Sequence, residues 1–241
     1  MVTVVSALNR IARQVSLESP TSWVSATETE HVEIRDDFFL ETVADIQDRV
    51  DLPSPIGKQT TVTGTGAETY SLPTDFLRVQ RDPMAVYETT TVRRRCYPVT
   101  NDGDWTHIKQ IGSTGGDRYY KIAGYDENFS ISLYREPSSS ISVTVSYMSD
   151  NWKADNTGTV GSAFTAEEDV LLLPRRVVEA GAVARWRERK GLNPSDKWRE
   201  YNQLLTRLIN DARGIRSVRF GDPAGPRMPW DIPVPDEIPT S

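Results

Sequence analysis

The spacing of apolar residues changes twice along the chain, and this change limits the folds that the chain can adopt. Before residue 58 and after residue 165, apolar residues recur at helical spacing. Between these limits they alternate with polar residues, most clearly in Phe129–Tyr134 and Ile141–Tyr147. Such alternation buries one face of a strand and leaves the other in water. The sequence therefore predicts helices, then a β-rich segment, then helices again.

Two helices are predicted ahead of the strands. The first covers Thr3–Leu17 and is amphipathic. The second starts near Ser25 and Thr27, each of which has a glutamate three residues later, at the spacing of a capping box. It continues to Val50 and carries many acidic residues on its polar faces. These acids fit a solvated surface, and a specific electrostatic role is the alternative.

Two further helices are predicted at Leu173–Lys190 and Pro194–Arg213. Gly191 separates them, and Asn193 supplies a cap for the second helix. The first of this pair has a face of small residues that would allow another helix to approach closely: Gly181, Ala182 and Ala184. Residues 174–220, which include this pair, carry a local charge of about +7, although the whole chain has a net charge of −6.

The chain after Gly214 is rich in proline, with six prolines from residue 223 onward. This density excludes helix and central strand and favours an extended conformation. Apolar residues such as Phe220 and Trp230 interrupt the prolines. In the isolated molecule this terminus is expected to be disordered. A merely solvating tail would not need these apolar residues, so they fit better with an extended arm that becomes ordered on a partner.

These patterns predict an α+β fold. We expect an antiparallel bundle of two N-terminal and two C-terminal helices, with a small antiparallel β domain inserted between them and an extended C-terminal arm. The predicted divisions are the N-terminal helices (residues 1–57), the β domain (58–150), the C-terminal helices (151–214) and the arm (215–241).

The residue types that carry most enzyme chemistry are sparse. The two histidines are far apart in sequence, and His107 is predicted in a short strand, Trp105–Ile111. The single cysteine, Cys96, excludes a disulfide within the chain and a cysteine-based zinc site. Gly112–Asp117 lacks the lysine of a phosphate-binding loop and is predicted to be a turn. The sequence therefore predicts no enzyme activity, no cofactor and no metal, and no apolar run is long enough for a membrane span.

The order of elements and one short motif together resemble a known family. Tyr70–Arg78 reads Y-x-L-P-x-D-F-L-R, and Leu172-Leu173-Pro174 leads into the C-terminal helices. With two helices before the β-rich part and two after it, the chain resembles the head-to-tail adaptor (connector) proteins of tailed bacteriophages over roughly residues 1–220.

The resemblance implies a structural virion protein that occupies the neck between capsid and tail and is assembled in the host cytoplasm. It implies a ring, usually of twelve copies, that binds the portal protein and the next tail protein. The ring would extend the channel through which genomic DNA passes without being bound specifically. No membrane contact is implied.

The resemblance also suggests roles for three sets of residues. The arm would bind the portal through Arg213, Arg216, Arg219, Phe220, Trp230 and Ile232. Acids of the second helix would line the channel and repel DNA, namely Glu30, Glu33, Asp37, Glu41, Asp45 and Asp48. The small-residue face Gly181, Ala182 and Ala184 would contact a neighbouring subunit.

Three other functions are compatible with the sequence. One is a tail-completion or tail-hub component, and another is a virion-associated enzyme that degrades peptidoglycan. The third is a nucleic-acid-binding module that uses the basic C-terminal helices, although acids lie among their basic residues.

Overall fold

Helices from both ends of the described chain pack together. The computed structural model describes residues 2–89, 93–111, 117–125 and 128–212. The helical segments are α1 (Val4–Gln14), α2 (Thr29–Val32), a π-helical segment (Glu33–Phe39), α3 (Leu40–Arg49), α4 (Asp102–Ile111), α5 (Arg175–Arg189) and α6 (Ser195–Ala212). Helix α5 is central, since it contacts α1, the π-helical segment, α3 and α6.

The ends of these helices follow from local chemistry. Thr3 caps α1, because its Oγ1 accepts a hydrogen bond of 3.2 Å from the amide of Ser6. Gly191 follows α5 with φ of +69°, a backbone conformation that favours glycine. Helices α5 and α6 confirm the predicted C-terminal pair. The predicted capping box before α2 is wrong, because no side chain caps this helix and Glu28 precedes it in extended conformation.

The larger sheet has eight strands and includes both antiparallel and parallel pairs. Its strands are β1 (Gly57–Thr63), β2 (Thr69–Ser71), β3 (Phe76–Val79), β4 (Val86–Thr89), β5 (Arg93–Pro98), β6 (Arg118–Ala123), β7 (Ser130–Tyr134) and β8 (Ser142–Ser149). They are arranged in the order β1-β8-β4-β5-β6-β7-β2, and β3 also pairs with β8. The two outermost strands, β1 and β2, are joined by only a short turn, so the sheet curls until it is nearly closed.

A smaller sheet connects the start of the chain to the segment before α5. It consists of β9 (Lys153–Ala154), β10 (Val160–Gly161) and β11 (Val170–Leu171), with β9 in the middle. Thr3 forms a bridge to Val170, and the amide of Val4 donates a hydrogen bond to the carbonyl of Asp169. This sheet therefore holds the N-terminus of α1.

The buried apolar residues form two clusters. The helical core includes Leu8, Phe39, Ile46, Val178 and Tyr201, all nearly inaccessible to solvent. The sheet core is built from strands β1 to β8 and their connections, and it includes Val62, Phe76, Val86, Cys96, Tyr120, Ile131, Leu133, Val143, Val145 and Tyr147.

The predicted fold class is wrong. The β part is a large, mixed, nearly closed sheet, and the described chain is strand-rich, so it is no helix bundle with a small antiparallel insertion. The parallel pair β5 and β6 accounts for part of the error. Parallel neighbours need a crossover connection, which is usually a helix. The sequence between these strands was interpreted as a further strand.

That crossover is α4, so the predicted strand Trp105–Ile111 and the strand position of His107 are also wrong. The helix starts after Asn101, whose Oδ1 accepts a 2.6 Å hydrogen bond from the amide of Asp104. Asp102 and Asp104 lie in its first turn, where the helix dipole favours negative charge.

Candidate interaction surfaces

Asp75, the acid of the Tyr70–Arg78 motif, joins three strands of the larger sheet. Its carboxylate accepts hydrogen bonds from Lys58 Nζ (2.5 Å), Ser149 Oγ (2.9 Å), Tyr147 Oη (3.0 Å) and Asn151 Nδ2 (3.2 Å). Partial burial acts to raise its pKa, but the bonds from Lys58, Ser149 and Tyr147 outweigh this and lower the pKa below the ordinary 3.8. Asp75 is therefore held as a carboxylate inside the subunit.

Arg78, three residues later, connects the sheet to the end of α3. Its guanidinium donates to the carbonyls of Gln47 (3.1 Å) and Val50 (2.9 Å) and to Asp51 Oδ1 (2.7 Å). A planar guanidinium can make these bonds in several directions at once. The motif that carries the family resemblance is thus a joint between the two cores and is largely occupied by contacts within the chain.

A buried ion pair fixes the smaller sheet. Lys153 Nζ lies 3.0 Å from Asp169 Oδ1, and the side chain of Asp169 is fully buried. Burial acts to raise the pKa of Asp169, but hydrogen bonds from the amides of Thr165 and Ala166 and from Lys153 lower it overall. These residues had no predicted role, because the pairing depends on strands that the sequence did not reveal.

The six acids predicted to line a channel form what we call the acidic stripe: Glu30, Glu33, Asp37, Glu41, Asp45 and Asp48. Most of them pair with cations of the same chain. Lys190 contacts Glu30 and Glu33, Arg185 contacts Glu41 and Asp45, and Arg49 and Arg81 contact Asp45 and Asp48 respectively. The stripe therefore presents less net charge than its sequence indicates, and a channel-lining role stays a prediction.

The small-residue face packs inside the subunit. Gly181, Ala182 and Ala184 are buried. A Cβ on Gly181 would lie 2.5 Å from Thr42 Cγ2 and 2.8 Å from Tyr201 Cε2. The close approach that these residues allow is thus made to α3 and α6 of the same chain, while contact with a neighbouring subunit stays a prediction.

Strands β4 to β7 carry a surface of arginine and tyrosine, which we call the Arg–Tyr face. Its arginines and Tyr97 are exposed, whereas Tyr119 and Tyr134 are half-buried and Tyr87 is buried. Cross-strand register places its members on one side of the sheet: Tyr87, Arg93, Arg95, Tyr97, Tyr119 and Tyr134. Arg93 lies over the ring of Tyr87 at 5.1 Å, and Arg95 lies over the ring of Tyr97 at 5.0 Å. Within the described ranges, no carboxylate pairs with either arginine. The sequence showed the run of arginines, but not that alternate members share a face with tyrosines.

The residues considered for catalysis do not come together. Cys96 is buried in the sheet core, where burial raises the pKa of its thiol to about 12. His31 is buried against Trp23 at one end of the helical core, whereas His107 lies on α4. Among the residues that the structure describes, no group of three or more His, Cys, Asp or Glu could hold a metal ion, and no helix could cross a membrane.

The predicted portal-docking residues lie outside the described residues. Arg213, Arg216, Arg219, Phe220, Trp230 and Ile232 all follow α6, whose last residue is Ala212. The structure describes the helix that precedes these residues in sequence. Several apolar residues of α6, among them Leu204, Leu208 and Ile209, are only partly covered by the helical core. Helix α6 thus retains accessible apolar surface close to the last described residue.

Comparison with known families identifies the class of protein. A family model for adaptor proteins of bacteriophages matches residues 3–227, which is most of the chain. The chain is therefore a head-to-tail adaptor protein of a tailed bacteriophage, as its resemblance indicated. The family is that of the SU10 adaptor protein, and the chain belongs to it.

Family membership defines the general role of the chain. It is a structural protein of a virion, and it interacts with other head or tail proteins of the phage. Comparison with curated protein sequences gave no significant match.

Proposed function

We propose that this adaptor forms a ring, most simply of twelve copies, that joins the portal to the tail and extends the DNA channel. The observation that carries this proposal is the match to the adaptor family over residues 3–227. Subunits assemble in the host cytoplasm and remain in the neck of the virion. The role is structural, and the genome passes through the ring without specific recognition.

The division into two cores supports a protein with two different partners. The helical core and the sheet core each bury their own apolar cluster, and Arg78 and Asp75 join them. Because an adaptor must present one surface to the head and another to the tail, a pair of linked but distinct units suits this role. We assign the portal side to the helical core and the tail side to the sheet.

The start of the arm is the portal contact in this proposal. Arg213, Arg216 and Arg219 precede Phe220, so three cations are followed by an aromatic anchor. Arginine and aromatic residues are enriched among the side chains that dominate binding energy at protein interfaces. In sequence they directly follow α6, whose apolar residues Leu204, Leu208 and Ile209 are only partly covered.

Electron microscopy of the purified protein mixed with portal tests the proposal. We expect rings bound to the tail side of the portal. Arg219→Glu should weaken capture by portal about tenfold, because it reverses a charge at the contact. Arg94→Glu is the matched control, since Arg94 is exposed on the sheet, far from the arm in sequence, and should bind normally. A protein that neither forms rings nor binds portal would contradict the proposal.

A further inference from the structure

The arginines of the Arg–Tyr face are exposed, and no carboxylate of the described residues pairs with them. Arg93 and Arg95 are exposed, and Tyr97 retains 38 % of its accessible surface. Tyr97 and Tyr119 are neighbours, with ring centroids 5.9 Å apart. Tyrosine supplies large contact area at low conformational cost, and arginine supplies charge and directional donors. This combination is typical of a protein-binding surface.

The chain itself contains a segment with matching chemistry. Gly221–Ser241 has six prolines and four acids, Asp222, Asp231, Asp236 and Glu237, against one cation, Arg227. Extended proline-rich segments bind surfaces that are lined by aromatic rings. Carboxylates form strong, charge-assisted hydrogen bonds with arginine. The segment therefore matches the Arg–Tyr face in two independent ways. Its prolines can pack on the tyrosine rings, and its carboxylates can bind the arginines.

We propose that the Arg–Tyr face of one subunit binds the proline-rich segment Pro223–Pro239 of a second copy. The inference rests on the proposed ring, and it names a contact that holds neighbouring subunits together. The segment and the face are different surfaces of one chain, so their contact is heterologous. Heterologous contacts between identical chains close into rings when the rotation between copies permits it.

This contact divides the arm into two functional parts. The arginine-rich start, up to Phe220, remains free to bind the portal. Trp230 and Ile232, which the resemblance assigned to the portal, instead contact the neighbouring subunit. The opposite charges of the two parts agree with this division, because Arg213, Arg216 and Arg219 precede Gly221 and all four carboxylates follow it.

Photo-crosslinking in the full-length protein tests the proposal. Trp230 is replaced by p-benzoylphenylalanine, and equal amounts of ¹⁴N- and ¹⁵N-labelled protein are mixed before irradiation. We expect crosslinks to peptides that contain Arg93–Pro98 or Arg118–Lys121, with half of them joining a light chain to a heavy one. Crosslinks within one chain, or to any other surface, would overturn the proposal.

Charge reversal identifies the groups responsible for the contact. Arg93→Asp with Arg95→Asp should lower the crosslink yield about tenfold, and Asp231→Arg with Asp236→Arg should do the same. Combining all four changes should restore much of the yield. The control is Arg199→Asp with Arg207→Asp, which makes the same charge change at exposed positions of α6 and should leave the yield unaltered. Equal yields in all variants would overturn the proposal.

Two further measurements separate this inference from its rivals. The variant Arg93→Asp with Arg95→Asp is also tested for binding to a short DNA duplex. If this variant loses DNA binding but keeps the crosslink, the Arg–Tyr face binds nucleic acid and the proposal fails. Portal capture by the same variants is measured in parallel. If the Trp230-substituted protein without charge reversals gives no crosslink but is captured normally by portal, only the arm contact is contradicted. If that protein crosslinks but is not captured by portal, only the proposed junction is contradicted. Circular dichroism melting of each variant confirms that it folds.

Discussion

Gly181 lies where α5 crosses α3 and α6, and a side chain at this position would collide with both. The contacts of a Cβ there, at 2.5 Å to Thr42 and 2.8 Å to Tyr201, are shorter than any that packed atoms adopt. Gly181→Ala should therefore lower the free energy of unfolding by about 1–3 kcal/mol, through overpacking. Urea denaturation measures this change.

Gly103 provides the matched control for this substitution. It lies in the first turn of α4, and a Cβ there would meet only Asn101 Oδ1, at 3.4 Å. Because glycine disfavours helix relative to alanine by roughly 1 kcal/mol, Gly103→Ala should leave stability equal or higher. Equal losses at the two glycines would show that packing at Gly181 is not the cause.

Asp75 makes the free energy of unfolding depend on pH in the acidic range. Its pKa is lowered in the folded state, so the ionised form stabilises the fold above the ordinary value of 3.8. This contribution is lost as pH falls below 3.8 through the lower pKa of the folded state. Asp75→Asn should cost about 1–3 kcal/mol at neutral pH, and its difference from the unsubstituted protein should shrink below pH 3.8.

Guanidinium denaturation across this pH range measures the effect of Asp75. Asp48→Asn is the control. The Asp48 side chain is largely exposed, and its Oδ1 lies 3.9 Å from Arg81 Nη2, a distance at the limit for an ion pair. Exposed ion pairs contribute little, so this variant should follow the unsubstituted protein at every pH. A pH profile of Asp75→Asn parallel to that of the unsubstituted protein would contradict the assigned pKa.

Among the elements, β8 shows why the sheet was underestimated from sequence. In β8, Val143, Val145 and Tyr147 alternate with hydroxyl residues, and this pattern predicted one buried face and one solvent-exposed face. In the structure both faces are buried, and the hydroxyl of Thr144 hydrogen-bonds with those of Thr61 and Thr89. Small hydroxyl side chains can satisfy one another in this way inside a sheet. The pattern therefore located the strand correctly but did not reveal that β8 is central.

Helix α4 depends on its cap. Asn101 accepts a hydrogen bond from the amide of Asp104 and donates one to its carboxylate. Asn101→Ala should destabilise this helix by about 0.5–2 kcal/mol, whereas Asn101→Ser should retain most of the cap. Hydrogen exchange of the α4 amides reports the effect locally. If the α4 amides exchange at the same rate in Asn101→Ala as in the unsubstituted protein, packing against the sheet and not the cap stabilises α4.

The sequence grouped the acids of the acidic stripe on one predicted helix, but it did not show which cations pair with them. The stripe lies on consecutive helical segments, so helical spacing was enough to group its members. Arg185 lies on α5 and Lys190 directly follows this helix, both more than a hundred residues away, and Arg81 follows β3. Long-range ion pairs leave no trace in local spacing. The charge of a surface therefore cannot be inferred from one helix alone.

At the scale of the whole molecule, Arg78 couples the two cores. Lysine in its place could keep the charge near Asp51 but could not also reach the carbonyls of Gln47 and Val50. Arg78→Lys should therefore lower stability by about 1–3 kcal/mol and separate the unfolding of the sheet from that of the helices. Native-state hydrogen exchange that resolves both cores measures this separation.

Arg94→Lys is the control for this prediction. Arg94 is exposed, and in the part of the chain that the structure describes it forms no hydrogen bond or ion pair. This variant should keep both the stability and the cooperativity of the unsubstituted protein. If Arg78→Lys also unfolds in a single transition, contacts other than Arg78 must couple the cores.

The Tyr70–Arg78 motif and the order of helices and strands together indicated the class of protein, yet the physical role of the motif was seen only in the structure. Asp75 meets Ser149 and Arg78 meets Gln47, residues that are distant in sequence. The surfaces that contact partners were harder to predict. The Arg–Tyr face depends on the register of strands β4 to β7, and such register is set by long-range pairing.

The joint at Asp75 and Arg78 also determines how the molecule would carry tension. A pull on the helices reaches β3 through the bonds of Arg78 to the end of α3, and Asp75 transfers it to β1 and β8. The four consecutive residues Asp75–Arg78 thus transmit the force between the helices and the sheet. The resistance of the subunit to stretching should therefore depend on this short segment more than on the size of either core.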